Sequence, residues 1–292
     1  MDMKLTLDHV PFAYRDLDAA MGAFDQVGLS PQYGGAHDNG CTHMAIVTFD
    51  DRSYIELIAE RRSGDHQYWP EMIHANAGPA TWCIRVSDIV AECRRVLARG
   101  YPVDGPRSGG RTREDGVAIE WQTAKIGSEH DGYILPFLIE DCTPLSYRVT
   151  PSASMSGSNL TGIGRVVIAV ESIDATTAVF QDLYRWPTPV RARIDGYGEI
   201  ATFPGTAVSL ASADDGWLAE RVDDLGPCPC SVLISTADLE AASAELRLEA
   251  PVDWPAASVA FVDDPDLGRH IGVMEPDHPT SDERAEPNPG RD

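Results

Sequence analysis

A strand-like run that leads into an amphipathic helix recurs four times along this chain, and that repeat narrows the possible folds more than any other feature. Residues 5–14, LTLDHVPFAY, end at Asp16, and the following DLDAAMGAFDQVG carries Leu17, Met21, Phe24 and Val27 on one helical face. Asp16 is a candidate N-cap and Gly28 a candidate C-terminal stop. Seventy-two residues on, TWCIRV (81–86) leads into Asp88, and Ile89, Cys93, Val96 and Leu97 form the apolar stripe. Gly100 follows Asp88 by twelve residues, as Gly28 follows Asp16. A third copy is IGRVVIAVESIDATTAVFQDLY (163–184), with Ile173 in the place of Leu17, and a fourth is CSVLISTADLEAASAEL (230–246), with Leu239 there.

After each helix come short β-rich segments split by turn residues. They are THMAIVTF (42–49) and SYIELIAE (53–60), then GVAIEWQTA (116–124) and GYILPFLIED (132–141). The later copies give GEIATF (198–203) with AVSLAS (207–212), and SVAFVDD (258–264) with RHIGVME (269–275). One strand, one helix, then several strands, four times over, predicts an α+β fold of four module copies in two domains. The small, polar run TPSASMSGSNLTG sets the boundary: a first domain over 1–149, a linker over 150–161 and a second domain over 162–276. The tail, 277–292, has almost no apolar content and is expected to be disordered and acidic.

Charge restricts the setting. Acidic residues number 46 against 23 basic ones, a formal charge of −23, and only Lys4 and Lys125 are lysines. Such a surface repels itself in dilute buffer, whereas molar salt shortens the Debye length to about 3 Å and screens it. The acids are spread along the chain and not blocked, so the reading is a halophilic, cytoplasmic protein; a partner-binding acidic surface is the alternative. No basic stripe is present for nucleic acid, no apolar run of about 20 residues for a membrane, and no basic, apolar leader at Met1–Thr6. Six cysteines show neither a disulfide framework nor zinc spacing and read as reduced, mostly buried thiols. Gly162 and Gly164 lack the third glycine of a dinucleotide loop and precede a strand, so no nucleotide cofactor is expected.

The unit of strand, helix and strands with His in its first strand and Glu in its last resembles the vicinal-oxygen-chelate superfamily of paired βαβββ modules. Within it, LDHVPFAYRDLDAA, GGAHDNGCTHMAIVTFDDRSYIELIAE, RTREDGVAIEWQTA and LPFLIEDCTPLSYR are similar to the glyoxalase-like domain, over residues 5–148. The resemblance implies sheets curled into open barrels with a ligand or divalent metal on the concave face. Alternation sets His9 on one face with Leu7 and Pro11, opposite Val10 and Phe12, and sets Glu56 with Tyr54 and Ile58. His9, Glu56 and His43 are therefore the candidate metal ligands, with His37 and Glu140 as further possibilities, and Glu56 doubles as the candidate catalytic base. Counted from the helix starts, the residues matching His9 are Thr81, Arg165 and Ser231, and those matching Glu56 are about Phe137, Ser209 and Val273. The ligand triad of an extradiol dioxygenase is thus not expected at matching positions.

Tyr54, Arg113, Asp115, Trp121 and Arg165 are the candidate substrate-binding residues: Arg113 and Asp115 as a clamp for an anion, Trp121 as pocket wall, Arg165 as a carboxylate binder where a first-strand histidine would stand. Two functions follow. One is a metal-assisted lyase, isomerase or hydrolase acting on a small oxygenated metabolite. The other is a metal-free small-molecule binder of the bleomycin-resistance type. Modules of this superfamily pair within or between chains, so monomer and homodimer both fit.

Overall fold

The computed structural model describes residues 5–64, 69–113, 115–128, 132–151, 155 and 157–276; the tail read as disordered lies outside them. The first repeat copy builds β1 (Thr6–Tyr14), α1 (Leu17–Gln26), β2 (Gln32–Ala36), β3 (Thr42–Thr48) and β4 (Tyr54–Glu60). Helix α2 (Pro70–Ala75) and β5 (Gly78–Pro79) lead into the second copy: β6 (Cys83–Arg85), α3 (Ile89–Ala98), β7 (Val103–Thr112), β8 (Ala118–Ile126) and β9 (Phe137–Asp141). Beyond α4 (Leu145–Arg148), the third copy is β10 (Leu160–Ala169), α5 (Ile173–Tyr184), β11 (Val190–Ile194), β12 (Gly198–Thr202) and β13 (Val208–Ser212). Helix α6 (Gly216–Leu225) precedes the fourth: β14 (Cys228–Thr236), α7 (Leu239–Glu245), β15 (Val252–Trp254), β16 (Ala257–Phe261) and β17 (Ile271–Pro276). Each copy is βαβββ. β10 begins two residues inside the segment read as linker.

The helices start where the sequence supplies a short polar side chain. Asp16 accepts from the Ala19 amide at 3.0 Å, Asp88 from Ala91 at 2.8 Å, Ser172 from Ala175 at 3.2 Å and Asp238 from Ala241 at 2.9 Å, each satisfying a donor that the first turn leaves free. Gly28 and Gly100 end the first two copies' helices at φ +96° and +87°, a region costly for any residue with a Cβ. The buried faces, Leu17, Ala20 and Phe24 of α1 and Ile89, Cys93 and Val96 of α3, follow the helical period.

Two sheets result, in the orders β2-β3-β4-β1-β6-β9-β8-β7 and β11-β12-β13-β10-β14-β17-β16-β15. In the first, β1 pairs in parallel with β4 and antiparallel with β6, so two modules join within one chain through their first strands. The second repeats this through β10 and β14. Each sheet curls until its outer strands meet. At the first seam the Asp38 amide donates to the Gly110 carbonyl at 3.3 Å and Arg111 donates to the Gly34 carbonyl at 2.7 Å. The sequence segments named above omit β2, β7, β11 and β15, the strands that form these seams. QYGGA and VDGPRSGGRT lack an apolar alternation, since only partial burial is asked of an outer strand, while VRARI and VDW alternate but are short.

One apolar core joins the helical faces of both halves, with Phe24, Trp82, Phe180 and Leu246 all in it. Polar anchoring comes from Arg221 of α6, which donates to the Ala77 carbonyl at 2.7 Å. All six cysteines are free and five are buried. No helix among the described residues is long and apolar enough to cross a membrane.

Candidate functional site

Strict alternation puts His9 and Leu7 on one face of β1, but the strand departs from it. Against β6, Leu7 pairs with Ile84 while His9 pairs with Cys83, so one extra residue, Asp8, is accommodated as a bulge. Leu7 packs with Val10 and Phe12 against the apolar core, a correction to the expected face. Asp8, with no exposed surface, lies beside His9, its Oδ1 2.7 Å from Nδ1. The bulge thus converts two sequence neighbours into a carboxylate–imidazole pair.

Arg148 of α4 locks that pair. It donates to Asp8 at 2.8 and 2.9 Å, to Asp141 at 2.6 and 2.9 Å and to the Tyr54 hydroxyl at 2.9 Å. Burial opposes the charge on Asp8, yet the hydrogen bonds from His9 and Arg148 win and hold its carboxyl well below the usual range. Tyr54 is the direct neighbour of His9 across β1 and β4, which explains why their rings stack at 4.5 Å and 8°. Burial pushes the Tyr54 hydroxyl up to about 12, keeping it neutral.

Two residues along β4, Glu56 reaches the same face. His9 Nε2 stands 3.4 Å from its Oε2 and His37 Nε2 stands 3.3 Å from its Oε1. His37 is the first residue after β2; its backbone amide donates to the Thr42 carbonyl at 3.0 Å and its Nδ1 lies 2.9 Å from Thr42 Oγ1. Both imidazoles therefore present Nε2 to the carboxylate while a second group fixes Nδ1, the arrangement that orients histidine ligands in metal sites. Burial works against the charge on Glu56, but His37 and His9 together hold its carboxyl below the usual range. The histidines approach opposite oxygens of Glu56, so the trio is not gathered about one point. Asp8, His9 and Cys83 do offer donor atoms within 4.8 Å of one another. Arg148 occupies both Asp8 oxygens, however, and burial pushes the Cys83 thiol up to about 11, which disfavours the thiolate a metal requires.

These groups open on a cavity of about 450 Å³ within the first barrel, walled by Met44, Trp69, Trp121, Tyr133, Leu135 and Phe137 beside the polar residues. The size and the mix of apolar wall with a few converging polar groups suit a small molecule. Of the sequence candidates, His9, Tyr54, Glu56 and Trp121 line it, as does His37. His43 does not. It pairs with Ala59 on β4, one residue out of step with the Glu56 row, so the pleat turns it to the opposite face, where its ring meets Tyr33 at 6.1 Å. Glu140 accepts from the Ile89 amide at 3.0 Å and so caps α3. Arg113 and Asp115 pair at 2.6 Å on the exposed β7–β8 turn and border a separate, shallower depression.

Arg165 lies in the second barrel, where strand register fixes the equivalences. Val166 pairs with Val208 as Val10 pairs with Ile55, so Ser209 stands where Glu56 does; in the second copy Phe137 does, and in the fourth Gly272 does, one residue from the Val273 expected. Arg165 hydrogen-bonds the Val208 carbonyl and Ser209 Oγ, each at 3.3 Å, and burial lowers its pKa to about 10. The face it shares is filled by Tyr197, Trp254 and Phe261, with the Tyr197 and Phe261 rings 5.1 Å apart. Asp8, Arg111, Lys125 and Arg148 belong to the first site without having been sequence candidates. Only Lys125 carried a sequence signal, as one of two lysines in the chain.

Comparison with solved structures identifies the same architecture elsewhere. A hypothetical protein from Staphylococcus aureus superposes with a TM-score of 0.62 at 15% identity, covering 93% of this chain and 98% of that one. A mutant of 4-hydroxymandelate synthase from Streptomyces coelicolor gives 0.57 at 11% identity, covering 94% and 92%. A xylose isomerase-like TIM barrel/4-hydroxyphenylpyruvate dioxygenase fusion protein gives 0.59 at 12%, covering 96% of this chain and 50% of that one. At these identities the likeness shows the vicinal-oxygen-chelate fold. No curated protein sequence matches the chain. A profile of the glyoxalase-like domain does match, over residues 7–184. That span holds β1 through α5, with every residue around the cavity inside it, and the chain belongs to the glyoxalase-like domain family.

Proposed function

We propose that this protein is a divalent-metal-assisted enzyme acting on a small oxygenated metabolite in the cavity of its first half, with His9, Glu56 and His37 as the metal ligands. His37 replaces His43 in that set, since it shares the cavity with the other two. The observation that carries the reading is the approach of each imidazole to Glu56. With Nδ1–H given to Asp8, a neutral His9 turns the lone pair of Nε2 toward a carboxylate oxygen, and two lone pairs at 3.4 Å call for a cation between them. Charge-assisted hydrogen bonds run shorter, at about 2.7–2.9 Å. Either His–Glu pair, at 3.4 and 3.3 Å, offers nitrogen and oxygen donors that would suit a divalent ion.

When bound, a divalent ion polarises an oxygen of the substrate and offsets negative charge developing there. The chain's own residues supply the rest. Asp8 holds His9 in one orientation, and Arg148 holds Asp8. Trp121, Trp69 and Phe137 enclose the carbon skeleton and exclude water. Glu56, on the cavity wall, would accept a proton from the adjoining carbon, which suits lyase and isomerase outcomes alike.

A second reading rests on the placement of the histidines on opposite carboxylate oxygens. Burial alone would lower the His9 pKa, but the neighbouring groups, Asp8 among them, raise it well above the usual value. An imidazolium between Asp8 and Glu56 then satisfies the site without metal, as in a small-molecule binder. We further infer a cytoplasm of high salt as the working environment, from 46 acids against 23 bases.

Elemental analysis of protein purified in molar KCl without chelator decides between the two, with His9→Ala/Glu56→Ala and His37→Ala beside the wild type. Near one metal per chain in the wild type, lost in the double variant and weakened at least tenfold in His37→Ala, is the expected result. A metal-free wild type with native circular dichroism would sink the metalloenzyme reading.

A further inference from the structure

We propose that the molecule taken into the cavity is an organic carboxylate, its acid group docked on Arg111 and its entry favoured by Lys125. The inference rests on the reading of this cavity as the ligand site, and it names the class of ligand.

Two cations on the cavity wall stand without an acid of their own among the described residues. Acids outnumber bases two to one overall, 46 to 23, yet each acid in the cavity wall already has a partner. Glu56 stands between His9 and His37, Glu71 accepts from the Tyr133 hydroxyl, and Asp104 binds Arg107. Among the cations, Arg148 is matched by Asp8 and Asp141. Arg111 and Lys125 pair with no carboxylate among the described residues. The cavity wall therefore holds two cations with no ion-pair partner among the described residues, in a chain where acids outnumber bases two to one.

Arg111 is the stronger of the two. It is 5% exposed, and it donates to two neutral groups, the Gly34 carbonyl at 2.7 Å and the Arg148 carbonyl at 3.1 Å. Its Nε has no hydrogen-bond partner, and two of the five N–H groups are used. Burial lowers its pKa, opposed by the nearby Tyr54 and Glu56. A buried guanidinium without an anion is costly, and its planar fork is shaped for a carboxylate. Bridging the seam between β7 and β2 needs only hydrogen-bond donors; it does not need the charge. Lys125 is half-buried, with its ammonium 5.0 Å from the Tyr133 ring. It faces Asp104 across β7 and β8, but Asp104 is engaged by Arg107. In a chain that uses arginine for nearly every basic position, a lysine on the cavity wall is a departure that a strongly hydrated, mobile charge at the entrance accounts for. The apolar walls, Trp69, Trp121 and Phe137, fit an acid with an aryl or branched aliphatic body.

The test uses chelator-treated full-length protein, so that it stands whether or not a metal is found. Phenylacetate, 3-phenylpropionate, salicylate and 4-methylvalerate are titrated calorimetrically, each beside its primary amide. At least one acid should bind tenfold or more tightly than its amide. Arg111→Gln should abolish that preference while amide affinity stays within about twofold, and Lys125→Gln should weaken the acid two- to threefold, more at low salt than at high, since a half-buried charge is screened more than a buried one. A wild type that binds no acid more tightly than its amide overturns the proposal, as does a preference that survives Arg111→Gln. The wild-type comparison needs no variant, so misfolding of Arg111→Gln leaves the proposal exposed to refutation. A purely structural Arg111 would lower the melting temperature without touching the acid-to-amide ratio.

Discussion

Replacing Arg148 by methionine removes the cation that hydrogen-bonds both acids behind His9, Asp8 and Asp141. Asp8 has no exposed surface and Arg148 is 4% exposed, so Asp8 is left charged in the interior with only His9 and, at 3.7 Å, Arg85. Removing one partner of a buried ion pair costs about 3–5 kcal/mol. Asp141 reaches water and adds at most about 1 kcal/mol, and the Tyr54 hydroxyl loses a hydrogen bond of about 1 kcal/mol. The apolar bulk of methionine returns roughly 1 kcal/mol. The net loss is about 4 kcal/mol, within the roughly 5–15 kcal/mol that domains possess, so the variant folds and can be measured. Urea titration at fixed salt, followed by far-ultraviolet circular dichroism, reads the shift. Adding Asp8→Asn to Arg148→Met turns the stranded charge into a neutral amide and should recover at least about 2 kcal/mol of the loss, a coupling that a double-mutant cycle isolates. A loss under about 1.5 kcal/mol, or no recovery in the double variant, would refute the assignment of Arg148 as the counter-charge.

Three further outcomes are expected. His270 bonds the Cys230 carbonyl through Nδ1 at 2.8 Å, and burial, with the charge of Arg221 behind it, pushes its pKa from 6.5 down to about 4. The unfolded chain takes up that proton below pH 6.5 while the folded one does not, so this stability is present above pH 6.5 and lost as pH falls toward 4. It amounts to at most about 3 kcal/mol; urea midpoints between pH 7.5 and 4 should fall less steeply in His270→Gln, and an unchanged slope counts against the assignment. Phe180 is fully buried and stacks on Trp186 at 5.0 Å, so Phe180→Ala should cost about 3–5 kcal/mol through the cavity it leaves, and a loss under 1 kcal/mol would mean the two halves share less core than described. Asp88→Ala removes the acceptor for the Ala91 amide and should cost about 1 kcal/mol in the same assay; no change would show the cap to be replaceable by water.

Much of the architecture was legible because it is written in local, periodic signals. Asp16 and Asp88 cap helices whose apolar stripes return every three or four residues, and Val10, Phe12, Ile55, Ile58 and Val166 to Ile168 are strand-forming side chains in short runs. These patterns need no distant partner to be read. The seam strands escaped because β2 and β7 carry no such pattern and β11 and β15 are short: VDGPRSGGRT forms the ten residues of β7 through its pairing with β8. The four-way equivalence of His9, Thr81, Arg165 and Ser231 came from counting back from the helix starts, and strand pairing supports that count at Glu56, Phe137 and Ser209.

By itself the sequence determined the repeat, the helix boundaries, the candidacy of His9 and Glu56 and the acid excess, since each depends on spacing or composition along the chain. Tertiary structure decided which side chains meet. A single bulge brings Asp8 to His9 against the alternation rule, and the pleat of β3 turns His43 away while the end of β2 turns His37 in. Arg148, 140 residues from Asp8, reaches it because α4 folds back under β1. Whether a barrel stays open was likewise decided in three dimensions: Glu56 faces open space, while aromatic rings fill the corresponding face of the second half around Gly272. Such choices depend on register and on long-range closure, and no stretch of neighbouring residues encodes either.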